Sequence, residues 1–171
     1  MLHIYYGDGK GKTTAAMGLV LRMLGAGKKV FIVQYLKGHS SGEIKALLAQ
    51  PAVTVLRGKP GMKFTFQMTQ DELAQVRQMQ MRQLFLAFSA LREGRAQLLV
   101  LDEALDAIYT NTLDEQTLID LLKDCPADAE VVLTGRNPSK RLLEAADYVT
   151  WMQKEKHPYD QNMPAREGIE Y

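Results

Sequence analysis

Leu2-His-Ile-Tyr-Tyr6, then Gly7-Asp-Gly-Lys-Gly-Lys-Thr-Thr14, then Ala15, Ala16, Leu19 and Val20 set a strand, a glycine-rich loop and a helix in immediate succession. That order reads as a phosphate-binding loop. Glycines at 7, 9 and 11 permit conformations that a Cβ forbids, so consecutive amides can turn inward on an anion. The helix starting near Lys12 adds its unpaired first-turn amides and the positive end of its dipole. Lys12 supplies a point charge, and its charge-assisted hydrogen bond contributes roughly 1.5–3 kcal/mol. Thr13 offers the hydroxyl that such loops give to a Mg²⁺ ion. The spacing is irregular. The usual pattern sets four residues between its first glycine and Gly-Lys-Thr; here Asp8, Gly9 and Lys10 alone separate Gly7 from Gly11, and Tyr occupies position 6.

Working outward, Gln97-Leu-Leu-Val-Leu-Asp-Glu103 is an apolar strand ending in two carboxylates, the arrangement that holds a nucleotide's metal in P-loop proteins. Strands alternate with helices along the rest of the chain. Lys29 to Tyr35, Val53 to Arg57, Glu130 to Gly135 and Tyr148 to Met152 read as further strands. Thr69-Gln-Asp-Glu72 resembles a capping box opening the longest helix, to about Glu93, with Met81, Leu84, Phe85, Phe88 and Leu91 as its core stripe. Helices are also expected up to Leu48, from Leu113 to Lys123 and from Ser139 to Ala146, with loops over 37–42 and 58–63. The fold class is α/β: one P-loop domain over residues 1–171, with a mostly parallel sheet of about six strands and helices on both faces. An irregular tail follows from about residue 153. Gly7, Lys37, Asp102 and Thr134-Gly-Arg136 all fall at carboxyl ends of strands, where open α/β sheets bind ligands.

Composition narrows the function. A net charge of +1 supplies no global field to recruit nucleic acid or an anionic membrane, and no apolar run is long enough to span a bilayer. Met1 leads straight into the first strand, so no signal or transit peptide is expected. The single Cys125 suits a reducing compartment, and a cytoplasmic location is expected. His3, His39 and His157 lack metal-ligand spacing.

Two kinds of chemistry remain open. Attack on a γ-phosphate, as in a small P-loop kinase, needs a positioned nucleophile or a base on water. Glu103 can polarise water but is equally placed as a metal ligand. A shortened loop can instead present the ribose 5′ carbon to an external nucleophile, with triphosphate as a stabilised leaving group.

The run Gly7 to Ala16 resembles the loop of the P-loop ATP:corrinoid adenosyltransferases, which make adenosylcobalamin from ATP and a cob(I)alamin-type corrinoid. The likeness continues through Val33-Gln-Tyr-Leu-Lys-Gly38, Val100-Leu-Asp-Glu103, Leu133-Thr-Gly-Arg-Asn137 and Ala146-Asp-Tyr-Val-Thr150. It extends to Lys156-His-Pro-Tyr-Asp160 and Ala165-Arg-Glu-Gly-Ile-Glu-Tyr171, in collinear order. The resemblance implies a RecA-like fold, a homodimer, a flavoprotein reductant, and ATP bound in reverse with its 5′ carbon offered to cobalt. Reduced Co(I) is then the nucleophile. It implies that Gly7, Asp8, Gly9, Lys10, Gly11, Lys12, Thr13 and Thr14 hold the ATP, with Lys12, Thr13 and Glu103 catalytic. Mg²⁺ or Mn²⁺ would sit on Thr13, Glu103 and Asp102. Phe64-Thr-Phe66 matches the family's Phe-Thr-Trp motif, whose aromatics lie beneath the corrin and expel the lower axial ligand of cobalt. The competing reading packs Phe64 and Phe66 on one face of a short strand in the core. Phe66 replaces the more usual Trp, and Asn162 stands where Gly is common after His-x-x-Asp. Many members also carry an N-terminal extension that helps cover the corrinoid.

Overall fold

Alternation of side chains along buried strands decides the layering. In the computed structural model, which describes residues 1–38, 41–59 and 61–171, six parallel strands form one sheet in the order β3-β2-β4-β5-β1-β6. They are β1 (Leu2–Tyr6), β2 (Val30–Gln34), β3 (Val53–Arg57), β4 (Leu98–Asp102), β5 (Glu130–Gly135) and β6 (Tyr148–Trp151). The helices are α1 (Lys12–Gly25), α2 (Gly42–Leu48), α3 (Gln70–Arg92), α4 (Ala104–Tyr109), α5 (Glu115–Lys123) and α6 (Lys140–Ala145). One face of the sheet packs Val30, Ile32, Leu98, Val100 and Val132 against Ala16, Met17 and Val20 of α1 and Ile44 and Leu47 of α2. The intervening residues, Phe31, Val33, Leu99, Leu101, Val131 and Leu133, turn to the other face and meet α3, α4, α5 and α6. Cover on both faces is why β2 and β4 are buried at every position.

Most expected elements form within a residue or two of their expected bounds. The capping box is present: the Thr69 hydroxyl accepts from the Glu72 amide, and the Glu72 carboxylate accepts from the Thr69 amide at 2.8 Å. The expected stripe of α3 is corrected in part. Leu84, Phe88 and Leu91 are core, but Phe85 is exposed and Met81 is half-buried. A residue one step beyond Leu84 is rotated about 100° around a helix, and the buried seam runs instead through Gln80, Gln83, Ala87 and Ala90. The Gln83 amide reaches the Arg57 carbonyl at 2.7 Å, tying α3 to the end of β3. The expected loops at 37–42 and 58–63 fall partly outside the described residues, at His39, Ser40 and Pro60.

Register brings the strand ends level. Tyr6 pairs with Gly135 across β1 and β5, and Gln34 with Asp102 across β2 and β4. The loop after β1, the carboxylates after β4 and the turn after β5 therefore open on one edge of the sheet. The tail contains a short 3-10 turn, Pro158–Gln161, which Asn162 ends at φ +57°, the left-handed conformation that Asn tolerates in place of Gly.

Candidate functional site

The glycine loop is shaped by its contact with the end of β6. The Gly9 amide donates to the Met152 carbonyl at 2.8 Å, and the Gly7 amide to the Gly135 carbonyl at 3.2 Å. A Cβ at Gly9 would lie 2.7 Å from the Met152 oxygen and 2.8 Å from that of Gln153, so close backbone approach requires glycine there. The Asp8 carboxylate accepts the Lys154 amide at 3.1 Å. The amides of Gly7 and Gly9 are thus spent on the ends of β5 and β6, not turned toward an anion. The donors that face the cavity come from the first turn of α1, entered through Gly11 at φ +113°.

Lys12 bends back across the loop, its ammonium donating to the Gly9 carbonyl at 2.7 Å. Burial and the nearby Arg136 guanidinium lower its pKa. The Thr13 hydroxyl donates to Asp102 Oδ1 at 2.8 Å. Asp102 is completely buried. Its Oδ1 also accepts from the Thr134 hydroxyl at 2.7 Å, while Oδ2 accepts from Gln34 Nε2 at 3.1 Å and Lys37 Nζ at 2.7 Å. Two donors on each oxygen use the whole acceptor capacity of a carboxylate.

Glu103 follows directly and opens α4 in the left-handed conformation, φ +61°. Its amide donates to the Thr134 hydroxyl at 2.9 Å, which leaves its partly exposed carboxylate 3.7 Å from Lys37. Burial pushes its pKa up to about 7; Lys37 opposes the shift, and the carboxylates of Asp102 and Asp106 add to it. Asp106 is raised as well, first by burial, with Arg136 and Lys12 holding it down.

These groups open on a cavity of about 1230 Å³ that also reaches Phe64, Arg136, His157 and Tyr171. Small-molecule sites usually measure about 300–1,000 Å³, so this volume exceeds what one nucleotide needs. Phe64 lies on its rim, 68% exposed, stacked on Phe66, which is 81% exposed, with ring centroids 5.5 Å apart. The core reading of this pair is overturned. Thr65–Gln67 is a 3-10 turn, and neither ring is buried. Lys10 also borders the cavity.

The structure thus gathers residues 8–14, Glu103 and Phe64 around one space, with Asp102 behind Thr13 and Phe66 outside the lining. Sequence reading placed Lys37, Thr134 and Arg136 at strand ends without a role, and missed Gln34 and Asp106. Asp106 carried a usable signal, four residues after Asp102 in the first turn of the next helix. For a divalent cation, the Thr13 hydroxyl oxygen and the Glu103 carboxylate are hard oxygen donors of the right kind, and these oxygens already draw the Lys37 ammonium. Asp102 fits behind Thr13 better than beside the ion, because its oxygens are engaged. Among the described residues, no three His, Cys, Asp or Glu side chains group as a metal site, and no helix is long and apolar enough to cross a membrane.

The family model described as ATP:corrinoid adenosyltransferase BtuR/CobO/CobP matches residues 1–171. Among similar proteins, the "Corrinoid adenosyltransferase" of Escherichia coli K12 is 32% identical over 98% of this chain and 84% of its own length. That of Pseudomonas aeruginosa is 33% identical over 100% of this chain and 83% of its own, and that of Sinorhizobium sp is 33% identical over 96% and 77%. In fold alone, the chain is similar to EssC (ATPases 2 and 3) from Geobacillus thermodenitrificans. There the TM-score is 0.53 at 14% identity, covering 99% of this chain and 36% of that one.

Glu103 makes stability depend on pH. Its folded pKa, about 7, lies above the usual glutamate value of 4.5, so the folded state holds this proton more tightly than the unfolded chain. The stabilisation is complete below the unfolded pKa and is lost as pH rises through about 7. Urea unfolding without divalent cations should show wild-type stability declining across that window relative to Glu103→Gln. A difference independent of pH there would remove the effect from Glu103.

Proposed function

The chain belongs to the ATP:corrinoid adenosyltransferase family BtuR/CobO/CobP, and we propose that it transfers the 5′-deoxyadenosyl group of ATP to the cobalt of a reduced corrinoid. The observation that carries the reading is one cavity of about 1230 Å³ with the phosphate loop at one side and exposed, stacked Phe64 at its rim. It joins a triphosphate cradle to an aromatic surface with room for a second, large substrate. In the reaction Co(I) supplies the electron pair, the Co–C5′ bond forms, the C5′–O bond breaks, and triphosphate departs with the bonding electrons. No protein nucleophile is required, so the work of the side chains is positioning and electrostatic.

The first-turn amides of α1 and Lys12 hold the triphosphate, and Lys10 adds charge from the cavity's edge. Lys12 leaves the Gly9 carbonyl for phosphate oxygens, exchanging a neutral acceptor for an anionic one. Thr13 and Glu103 would hold Mg²⁺ or Mn²⁺, with Asp102 fixing the Thr13 hydroxyl through its hydrogen bond. The ion would supply positive charge to the departing triphosphate. Phe64 and Phe66 take the lower face of the corrin, where apolar rings exclude water and leave cobalt four-coordinate and easier to reduce. A flavoprotein supplies the electron. We place the enzyme in the cytoplasm as a homodimer, with ATP and the corrinoid as its substrates. A one-unit net charge supplies no global field to recruit a nucleic-acid partner.

Under reducing conditions with ATP and cobalamin, the products should be triphosphate and a cobalt–carbon bond. ADP release without dependence on corrinoid would point instead to a small P-loop kinase. Lys12→Ala should lower kcat by about 10²–10³-fold, the range for removing one preorganised donor to developing negative charge; near-normal turnover would take Lys12 out of the site. For Phe64→Ala, ATP affinity should hold while the spectrum of four-coordinate Co(II) weakens, and an unchanged cobalt spectrum would detach Phe64 from the corrinoid.

A further inference from the structure

Lys37 stands where the metal ion of the proposed reaction belongs. Its ammonium lies 2.7 Å from Asp102 Oδ2, 3.4 Å from Thr13 Oγ1 and 3.7 Å from Glu103 Oε1. The side chain is only 24% exposed. It is delivered by an unusual backbone: Leu36, a branched non-glycine residue, sits at φ +53° two residues beyond the end of β2. Left-handed conformation is unfavourable for such a side chain and persists only where surrounding structure enforces it. Here it turns the chain off the sheet toward the buried carboxylate of β4.

An ammonium and a divalent ion cannot share the same oxygens at these distances without strong repulsion. A free aqueous ion brings no anion to receive the displaced lysine, whose 2.7 Å charge-assisted bond to Asp102 is then lost without replacement. An ion that arrives on a triphosphate brings negative charge with it. Lys37 can then exchange the carboxylates for phosphate oxygens, and the cation count around the leaving group rises by one.

We propose that Lys37 is a resident counter-cation that keeps the Thr13–Glu103 site closed to free divalent ions and yields it to an ion carried by the nucleotide. The inference rests on the reading of this site as one for a metal–triphosphate. It makes Lys37 a positioning residue for metal entry and a ligand of the leaving group once the ion is seated.

Mn²⁺ binding to the nucleotide-free protein, followed by the electron paramagnetic resonance of the free ion, tests it. Lys37→Met removes the charge at similar length; Lys37→Gln removes the charge but keeps a donor for Asp102, which favours folding. With folding checked by circular dichroism, each should bind Mn²⁺ about ten-fold or more tightly than wild type, because a unit positive charge a few Å away is gone. Both should bind MgATP more weakly. Adding Glu103→Gln to Lys37→Gln should abolish the gain, which assigns it to this site. Folded Lys37 variants with wild-type Mn²⁺ affinity, or a gain that survives Glu103→Gln, would overturn the inference. If wild type still forms triphosphate and a cobalt–carbon bond in that case, the reaction assignment stands; if it forms neither while the Mn²⁺ result holds, the reaction assignment falls and the cation site remains.

Discussion

A carboxylate with no access to solvent holds this site together. Asp102 gathers four side chains through its hydrogen bonds: Thr13 on α1, Gln34 on β2, Thr134 on β5 and Lys37 beyond β2. An isolated buried charge is very unfavourable, and its removal from water is offset only when every lone pair finds a donor and a counter-charge is near. Asp102 satisfies both conditions. Because its donors come from neighbouring strands and the phosphate-loop helix, the geometry that stabilises the charge also sets the register of those strand ends. Stability and site construction are one requirement here. The hydroxyl of Thr13 cannot be aimed elsewhere without leaving Asp102 short of a donor.

The electrostatic arrangement around that hub is graded. Asp102 is fixed by direct pairing, whereas Glu103 sits one residue further on, faces the cavity and holds its proton up to about pH 7. Adjacent carboxylates thus take different parts. One organises the donors, and the other faces the cavity with Lys37 3.7 Å away. The left-handed backbone at Glu103 produces this split by sending its amide to Thr134 and its carboxylate the opposite way.

Much of this was legible in the residues. The strand-loop-helix run at 2–20 and the apolar run ending in Asp102-Glu103 identified two ends of one site, because phosphate cradles and metal-holding acids each need a specific local order. Alternating strands and helices identified a parallel sheet. The less legible parts depend on distance in sequence. Gln34 and Lys37 acquire roles only when β2 and β4 are set side by side, and the exposure of Phe85 reflects a seam of α3 that runs through glutamines. That Gly9 is required by the approach of Met152 and Gln153 is a contact across more than 140 residues. The aromatic pair shows the limit from the other direction: Phe64 and Phe66 have an apolar identity suited to a core, and only the absence of cover over their rings sets them apart from one.

The support of the glycine loop by β6 has a mechanical side. β6 is an edge strand, paired on one side only, with all its side chains exposed. Edge strands open at lower free energy than the centre of a sheet. The Gly9 amide and the Asp8 carboxylate are nevertheless anchored on the backbone just beyond it, at Met152 and Lys154. Fraying of the edge and loosening of the cradle are therefore a single event. Whatever rigidifies the loop damps the edge with it, and whatever lies against β6 acts on the shape of the loop without touching it.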